Sequence, residues 1–309
     1  MNKKAQSGDH TEPWTVLRLI RWTTNYLTGK GVKKARLDSE VLLADVLGLT
    51  RVELYLNYDR PLTPSELAAF REHVRRRAAF EPVAYITGHK EFYSLEFKVN
   101  QQVLIPRPET ELLVDQALTL AQTQRSGLKN PAADFLHVID LGTGCGAIAI
   151  ALAGNLSQTI LWALDLSESA LEVARMNAEK HSVNERITFI KGDLLEPLKE
   201  QVDYFDLIIA NLPYVPRDFY NDMDPDVKDF EPRLALDGGK DGLDLIRGAI
   251  AQSHPLLRSH GALLLEIWPT HALRVREMGE LHGYGQVSVL QDLTGRDRVA
   301  ILMKSRPGG

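Results

Sequence analysis

The first part of the chain has apolar residues at three-to-four spacing, which is the period of amphipathic helices. Three segments carry the pattern, TVLRLIRWTTNYL, ARLDSEVLLADVLG and TPSELAAFREHVRRRAAF, and all of them lie within residues 14–80. Pro61 and Pro64 separate the last two, as expected where one helix ends and the next begins. The pattern predicts a small all-α domain over residues 14–84, in which Arg75–Arg77 form a solvated helix face rather than a contact with an acidic partner.

After residue 84 the pattern changes to alternation. The stretch EFYSLEFKVNQQVLI is rich in Phe, Tyr and Val, and it predicts a β-hairpin linker over residues 85–108. This linker ends in IPRPETE, whose prolines stiffen the chain before a helix that begins near Glu109. At the other end of the chain, MNKKAQSGDHTEP is polar and is expected to form a flexible leader, residues 1–13.

From residue 109 to residue 309, short apolar runs alternate with helical segments. The runs FLHVIDL, TILWALDL, ITFIKGD, DLIIAN and GALLLEI have the continuous apolar character of strands buried on both faces. Helical segments such as SESALEVARMNAEKH lie between them, and two further strands, QVSVLQDL and RVAILMK, close the chain. This order predicts an α/β domain with a mainly parallel sheet, which binds ligands at the carboxyl ends of its strands.

Composition limits the possible functions. The one cysteine, Cys145, excludes an internal disulfide and a cysteine-based zinc site, and the nine histidines lack metal-ligand spacing, so no metal is expected. No apolar run has membrane-spanning length and the first residues lack a signal sequence, so a cytoplasmic protein without membrane contact is expected. The net charge of −5 disfavours nucleic acid as the main partner.

A glycine-rich loop joins a predicted strand to a predicted helix in the segment DLGTGCGAIAIALA. The loop consists of Gly142, Thr143, Gly144, Cys145 and Gly146. Glycines permit the tight turn and bring backbone N–H groups close to a ligand at the helix N-terminus. Asp165 ends the next strand, where a carboxylate can accept hydrogen bonds from ribose hydroxyls. Together they predict an adenosine-containing cofactor, although the loop also satisfies a dinucleotide fingerprint and leaves the choice of cofactor open.

A second loop, formed by Asn211, Leu212, Pro213 and Tyr214, follows the apolar run DLIIA. If the strand order reverses beside the first strand, this turn and the glycine loop are neighbours. The Asn211 side-chain oxygen and a backbone carbonyl can each accept one N–H bond from a planar amino group, and Pro213 holds the Leu212 carbonyl outward. Tyr214 can cover one face of a flat amide or base. The turn therefore predicts a site that aligns an NH2 group for alkylation by a strong electrophile.

Longer motifs resemble those of class I S-adenosylmethionine-dependent methyltransferases, and within them the peptide chain release factor N5-glutamine methyltransferases. The motifs are EPVAYITGHKEF, LIPRPETE, DLGTGCGAIAIALA, NLPYV, FEPRLALDGGKDGLD and DLTGRDRV, and the likeness runs from about residue 14 to residue 302. The resemblance implies a Rossmann-like fold with a seven-stranded, mostly parallel sheet. It also implies methyl transfer to the glutamine side-chain amide in the Gly-Gly-Gln motif of a release factor.

The resemblance further implies roles for individual residues. Gly142–Gly146 and Asp165 match contacts of S-adenosyl-L-methionine, whose product is S-adenosyl-L-homocysteine, and Leu194 matches a position that flanks adenine. Asn211–Tyr214 match the clamp on the substrate amide, with Asn211 also next to the cofactor. The helical domain is expected to help dock the release factor, and the chain is expected to act as a monomer.

Two departures from the family pattern bear on the site. Leu212 stands where the family usually has proline, which predicts a looser clamp with retained activity. The segment EIWPTH replaces a commoner Glu-Ile-Gly pattern, which leaves the roles of Trp268 and His271 open. His271 is expected to be a surface residue at the start of a helix.

Three other functions fit parts of the sequence. An adenine-N6 methyltransferase acting on RNA or DNA would present a similar planar amine to Asn211 and Tyr214, although the acidic charge balance disfavours it. A dinucleotide-dependent oxidoreductase fits the glycine loop and has no use for the Asn-Leu-Pro-Tyr turn. An inactive adaptor that binds cofactor or release factor without turnover is suggested by Leu212 alone.

Overall fold

A computed structural model describes residues 13–126 and 134–305 of the 309-residue chain. The predicted leader, apart from its last residue, lies outside the described residues. Contacts between residues divide the chain into two compact units, Met1–Thr87 and Gly88–Gly309. The hairpin that the sequence suggests as a linker lies in the second unit, and the boundaries at residues 84 and 108 stay predictions.

The described part of the first unit is helical. Its helices are α1 (Val16–Gly29), α2 (Ala35–Leu47), α3 (Arg51–Leu56), α4 (Pro64–Ala78) and α5 (Val83–Thr87). The longest three, α1, α2 and α4, correspond to the three periodic segments, whereas α3 and α5 are additional to the prediction. Thr63 and Glu66 form a capping box at the start of α4, which satisfies backbone N–H groups that have no partner inside the helix.

The core of the helical unit explains why one part of the sequence interpretation is wrong. Phe70, Val74 and Arg77 are all buried, because spacings of four and three residues place them on one face of α4. The Arg77 Nε donates to Asp38 Oδ2 at 2.7 Å, so a buried ion pair joins α4 to α2. Of the arginines expected to form a solvated face, Arg75 alone is exposed.

A hairpin opens the second unit, as the alternating pattern predicts. Its strands, β1 (His89–Phe92) and β2 (Leu95–Lys98), pair antiparallel. The two turn residues, Tyr93 and Ser94, have left-handed backbone conformations with φ of 52° and 57°, which suits the twist of a two-residue hairpin turn. The segment after the hairpin leads into the helix that the sequence expects near Glu109.

The second unit contains a seven-stranded sheet. Its strands are β3 (Leu136–Leu141), β4 (Thr159–Asp165), β5 (Ile187–Lys191), β6 (Phe205–Ala210), β7 (Leu257–Glu266), β8 (Tyr284–Gln291) and β9 (Asp297–Lys304). The strand order is β5-β4-β3-β6-β7-β9-β8. The five strands from β5 to β7 in that order are parallel to their neighbours, and β9 is antiparallel to both β7 and β8. The predicted α/β fold with a mostly parallel sheet is confirmed.

Helices connect the strands and pack on the sheet. They are α6 (Thr110–Ser126), α7 (Ala147–Asn155), α8 (Glu168–Lys180), α9 (Pro225–Lys228), α10 (Asp244–Leu256) and α11 (Ala272–Leu281). Helix α6 contacts β6 and β7, and α8 contacts β4 and β5. Among the described residues, no helix combines the length and the apolar character that a membrane crossing requires.

The strand order reverses between β3 and β6, and this reversal positions the site. The two strands are hydrogen-bonded neighbours in parallel register, in which Leu141 is opposite Ala210. The next residues along the chain are Gly142 and Asn211, so the glycine loop and the Asn-Leu-Pro-Tyr turn leave the sheet side by side. Ligands of doubly wound sheets bind in the crevice at such a reversal.

Candidate active site

The loops that follow four parallel strands surround a cavity of about 410 Å³. A cavity of this volume can hold a small-molecule cofactor. Most of the predicted site residues contribute to its wall, namely Gly142, Thr143, Gly144, Cys145, Asp165, Leu194, Asn211, Leu212 and Pro213. Gly146 and Tyr214 are the predicted site residues that the wall, as described, does not include.

The glycines of the loop have different structural roles. All have left-handed backbone conformations, with φ of 74° at Gly142, 56° at Gly144 and 85° at Gly146. A Cβ atom on Gly146 would lie 3.2 Å from the Cβ of Ala174 on α8, so this glycine permits close packing of the loop. A Cβ atom on Gly144 would have no heavy atom of the described residues within 4 Å, because Gly144 faces the cavity.

The Asp165 carboxylate ties the glycine loop to the end of β4. Its Oδ2 accepts a hydrogen bond from Gly144 N at 2.9 Å, and its Oδ1 accepts one from Ser167 N at 2.9 Å. Burial raises the pKa of Asp165, and the hydrogen bonds from these backbone N–H groups act in the opposite direction. Each carboxylate oxygen can accept a second hydrogen bond, so Asp165 keeps acceptor capacity on the cavity side.

The adenine-flanking position that the family resemblance assigns to Leu194 lies in the cavity wall after β5. Leu194 has a left-handed φ of 48°, a conformation that is uncommon outside glycine and that often marks functional sites. A Cβ atom on Gly248 of α10 would lie 2.5 Å from Leu194 Cδ1. Gly248 therefore provides the space in which the Leu194 side chain forms part of the wall.

A hydrogen-bond network holds Asn211 from behind. Asn211 Nδ2 donates to Thr110 Oγ1 at 3.1 Å, and the Thr110 hydroxyl donates to Glu266 Oε2 at 2.7 Å. The hydroxyl of Tyr214 donates to the other carboxylate oxygen, Glu266 Oε1, at 2.9 Å. Burial raises the pKa of Glu266, while these two hydroxyl donors and the positive charge of Arg298 act in the opposite direction.

Sequence reasoning missed the roles of Thr110 and Glu266. Thr110 is the first residue of α6, directly after the IPRPE stretch, and Glu266 ends β7. Both are buried, with exposed fractions of 4% and 1%. The motifs LIPRPETE and EIWPTH contain these residues, but spacing along the chain gives no sign that they meet. The structure identifies both residues, because Glu266 is a buried carboxylate at the end of β7 and Thr110 donates a hydrogen bond to it.

Tyr214 takes part in this network and contacts other aromatic rings. Its ring centroid lies 6.0 Å from that of Trp268, and the centroid of Phe219 lies 6.1 Å from that of Trp268. Burial raises the pKa of the Tyr214 phenol, and the charge of Glu266 raises it further, so the hydroxyl remains a donor. Trp268 thus has a structural position beside the turn, while the covering of a substrate by Tyr214 stays a prediction.

Leu212, which replaces the usual proline, is anchored by packing. Its side chain is 5% exposed and belongs to a hydrophobic core cluster of the second unit. A Cβ atom on Gly142 would lie 3.0 Å from Leu212 Cδ2, so the side chain reaches the glycine loop. Packing of Leu212 and the hydrogen bond from Asn211 to Thr110 both restrain the turn where proline would otherwise stiffen it.

The motif FEPRLALDGGKDGLD holds the turn from the other side. Val215 N donates to Leu236 O at 3.0 Å, and Gly238 N donates to Val215 O at 3.0 Å. A Cβ atom on Gly242 would lie 2.4 Å from the carbonyl oxygen of Tyr214. Only glycine permits this approach of two backbone segments, which explains the glycines of the motif.

The expectation that His271 is a surface residue is wrong. His271 directly precedes α11, as expected, but its exposed fraction is 5%. A Cβ atom on Gly242 would lie 2.8 Å from the imidazole Cε1, so the ring packs on glycine backbone that carries no side chain. Burial lowers the pKa of His271, which favours the neutral ring.

Cys145 is a buried thiol. Burial raises its pKa to about 12, so the nucleophilic thiolate is disfavoured, as expected for a small residue in the turn. Its carbonyl accepts a hydrogen bond of 2.9 Å from Asn177 Nδ2 of α8, and the same nitrogen donates to Lys98 O at 3.0 Å. In residues 13–126 and 134–305, no group of three or more metal-ligating side chains is present.

The sheet order and the two loops at its reversal define a Rossmann-like methyltransferase of class I. The methyltransferase domain family matches residues 133–231, and the PrmC N-terminal domain family matches residues 18–88. The N-terminal domain of human METTL16, solved in complex with SAH, has a TM-score of 0.52 and 16% identity, with 99% of each chain covered. That similarity concerns the fold. The match to a methyltransferase domain argues against a dinucleotide-dependent oxidoreductase.

Relatives of known family cover nearly the whole chain. The release factor glutamine methyltransferase of Rhodopirellula baltica is 39% identical over 302 residues, which are 97% of this chain and 100% of the relative. The enzyme of the same name from Geobacter sulfurreducens is 43% identical over 288 residues, covering 93% and 96%. This chain belongs to the release factor glutamine methyltransferase family. The family resemblance of its sequence motifs is confirmed.

Proposed function

We propose that this protein transfers a methyl group from S-adenosylmethionine to the side-chain amide nitrogen of the glutamine in the Gly-Gly-Gln motif of a release factor. The observation that supports it most strongly is the junction of two loops at one cavity. The glycine loop with Asp165 suits an adenosine-containing cofactor, and Asn211 suits an amide substrate. Membership of the family supports the choice of release factor as substrate.

The residues present fit S-adenosylmethionine. Gly144 leaves space for a ligand, Asp165 keeps acceptor capacity for ribose hydroxyls, and Leu194 offers an apolar surface for adenine. When bound, the cofactor supplies an electrophilic methyl group on a sulfonium. The protein then has to exclude water and align the substrate nitrogen with that group, because an amide nitrogen is a poor nucleophile.

Asn211 and the backbone of Leu212 perform this alignment. The Asn211 side-chain oxygen and the Leu212 carbonyl each accept one N–H bond of the glutamine amide, which directs the nitrogen without charging it. Such orientation can contribute about 7 to 11 kcal/mol to the lowering of the barrier. No strong general base is needed, since the amide proton becomes very acidic as the new N–C bond forms. The new N–C bond would form as the bond between the methyl group and sulfur breaks, so the products are N5-methylated glutamine, S-adenosylhomocysteine and one proton released to solvent.

The remaining parts of the proposal concern partners. The helical unit, which matches the PrmC N-terminal domain family over residues 18–88, helps to dock the release factor. The chain acts as a monomer, and nucleic acid is not its direct substrate. Docking on this second surface, the helical unit, would explain how one glutamine among many is chosen.

The proposal is tested by offering both substrate classes together. The purified protein is incubated with methyl-labelled S-adenosylmethionine, a purified release factor and total RNA, and the products are analysed by peptide and nucleoside mass spectrometry. Label on the Gly-Gly-Gln glutamine is the expected result. Label in RNA alone would favour the adenine-N6 methyltransferase, and measurable cofactor binding with no label anywhere would favour the inactive adaptor.

A further inference from the structure

We propose that Thr110 and Glu266 are positioning residues that fix the direction of the Asn211 amide, so that the site accepts a carboxamide and rejects a carboxylate. This inference rests on the proposed function and deepens it. It assigns a part in choosing glutamine over glutamate to two buried residues, Thr110 in the cavity wall and Glu266 behind it.

The number of protons that the hydrogen-bond network can donate determines how the Asn211 side-chain amide is oriented. An ionised glutamate only accepts hydrogen bonds, and a threonine hydroxyl has one proton to donate. The Thr110 hydroxyl lies 2.7 Å from Glu266 Oε2 and gives its proton to that oxygen. Thr110 Oγ1 then has lone pairs alone to offer, so Asn211 must approach it with the NH2 group, at 3.1 Å. The opposite end of the amide, Asn211 Oδ1, is left for the substrate.

Burial makes this direction costly to reverse. Thr110 is 4% exposed and Glu266 is 1% exposed, so water cannot compensate for a mismatched contact. A rotated Asn211 would place its oxygen against the lone pairs of Thr110. Both carboxylate oxygens of Glu266 accept a hydroxyl hydrogen bond, from Thr110 at 2.7 Å and from Tyr214 at 2.9 Å, and these donors together with the charge of Arg298 favour the ionised form against the burial that raises its pKa.

The cavity wall therefore presents two hydrogen-bond acceptors to the substrate side chain. Asn211 Oδ1 and the Leu212 carbonyl match the two N–H groups of a glutamine amide. A glutamate carboxylate has no proton to donate and would meet two oxygens at close range. The network therefore selects the amide, and it also excludes a substrate whose glutamine has been hydrolysed to glutamate.

The test compares two peptides that contain the Gly-Gly-Gln motif and differ only in glutamine or glutamate at the reacting position. Their dissociation constants are measured by calorimetry on the full chain saturated with S-adenosylhomocysteine, so that no turnover occurs. In Thr110→Val, which keeps the shape and removes the hydroxyl, we expect the preference for glutamine to fall at least about tenfold. Thr110→Ser, which restores the hydroxyl, should restore the preference.

A matched control lies on the same helix. The Thr119 hydroxyl is exposed and donates to Asp115 O at 2.8 Å within α6, so Thr119→Val removes a hydroxyl away from the cavity. This variant should keep the wild-type preference. A loss of preference there that equals the loss in Thr110→Val would overturn the inference, because the effect would then come from the helix.

A second variant acts from the other end of the network. Glu266→Gln has the same shape, but its NH2 group can donate a hydrogen bond to Thr110 Oγ1. The Thr110 hydroxyl can then turn its O–H toward Asn211 and donate to the amide oxygen instead. The preference for glutamine should fall in this variant as well.

An unchanged preference in folded Thr110→Val and Glu266→Gln, even with slower turnover, would assign both residues a structural role and overturn the inference. Wild-type protein that prefers the glutamine peptide but never methylates a release factor would refute the proposed function instead, and leave the inference standing.

Discussion

At the scale of single residues, the chemistry of Asn211 depends on atoms that are distant along the chain. The Asn211 amide contacts Thr110, 101 residues earlier in the chain, and Thr110 contacts Glu266, which lies 156 residues after Thr110. In the proposed reaction both partners act through Asn211. They decide which end of a symmetric-looking side chain faces the substrate.

Replacement of Asn211 by alanine should reduce turnover about 10²- to 10³-fold, the usual effect of removing one aligned polar group from an active site. Cofactor affinity should change little, since Asp165 and the glycine loop stay in place. Single-turnover methylation of a release factor and equilibrium binding of S-adenosylhomocysteine give the two quantities. Wild-type turnover in Asn211→Ala would contradict the proposed alignment.

Asp140, at the end of β3, should make stability depend on pH. Its Oδ2 accepts hydrogen bonds from the Thr143 hydroxyl and Ala149 N, while Oδ1 has no hydrogen-bond partner in the described part of the chain. Burial raises its pKa from 3.8 to about 7. A raised pKa in the folded state favours folding below pH 4, and this contribution is lost as the pH rises through about 7.

The variant Asp140→Asn isolates this effect, because an amide oxygen can accept both existing hydrogen bonds and the group no longer titrates. Between pH 4 and 7, the unfolding free energy of the wild type should fall relative to that of the variant by on the order of 4 kcal/mol. Urea denaturation at several pH values measures the difference. Parallel pH profiles for the two proteins would contradict the assignment of the raised pKa to Asp140.

At the scale of elements, the order of strands in the sheet determines which loops form the site. The sheet places β3 next to β6, so two loops that are about seventy residues apart in sequence begin at adjacent positions, Gly142 and Asn211. Each loop is then fixed by a neighbouring element. Asp165 at the end of β4 holds the glycine loop, and Thr110 at the start of α6 holds the turn.

The glycine loop offers a matched pair of substitutions. Gly146→Ala should mainly lower stability, by about 1 to 3 kcal/mol, because the new Cβ meets Ile150 at 3.0 Å and the left-handed conformation is strained. Gly144→Ala introduces the same type of backbone strain, but its new Cβ would point into the open cavity. This variant should therefore mainly weaken cofactor binding. Denaturation and S-adenosylhomocysteine binding measure the two effects. Equal changes of both quantities in both variants would contradict the division of roles.

At the scale of the whole molecule, each unit has its own hydrophobic core. The helical unit buries residues such as Leu42, Leu43 and Phe70, and the sheet unit buries the strands around Ile139 and Ile208. Separate cores permit one unit to be destabilised while the other keeps its structure. The proposed division of labour, in which one unit docks the release factor and the other performs the chemistry, can therefore be tested on the intact chain.

Asp38→Ala should loosen the helical unit by about 3 to 5 kcal/mol, because it leaves the Arg77 charge buried without its carboxylate. Hydrogen exchange should become faster in α2 and α4, while exchange in β3 and β6 and the affinity for S-adenosylhomocysteine stay unchanged. Methylation of an intact release factor should fall. Arg75→Ala, which removes an exposed arginine of the same helix, is the control and should alter none of these quantities. Weaker cofactor binding in Asp38→Ala would contradict the independence of the two cores.

The sequence by itself determined the elements and the chemical types at the site. Periodicity identified the long helices, the hairpin and the strands, and the motifs identified the glycine loop, Asp165 and the Asn211 turn. These features are local, because apolar spacing and turn residues act within a few positions of each other. The family resemblance rests on the same local motifs.

Tertiary structure alone decided the burial and direction of individual side chains. It turned Tyr214 toward Glu266, buried Arg77 and His271, and brought Thr110 behind Asn211. Each of these outcomes depends on a contact between segments that are dozens to about a hundred residues apart. Such contacts leave no periodic trace in the sequence, since they form only when packing of the core fixes which strand and helix ends meet.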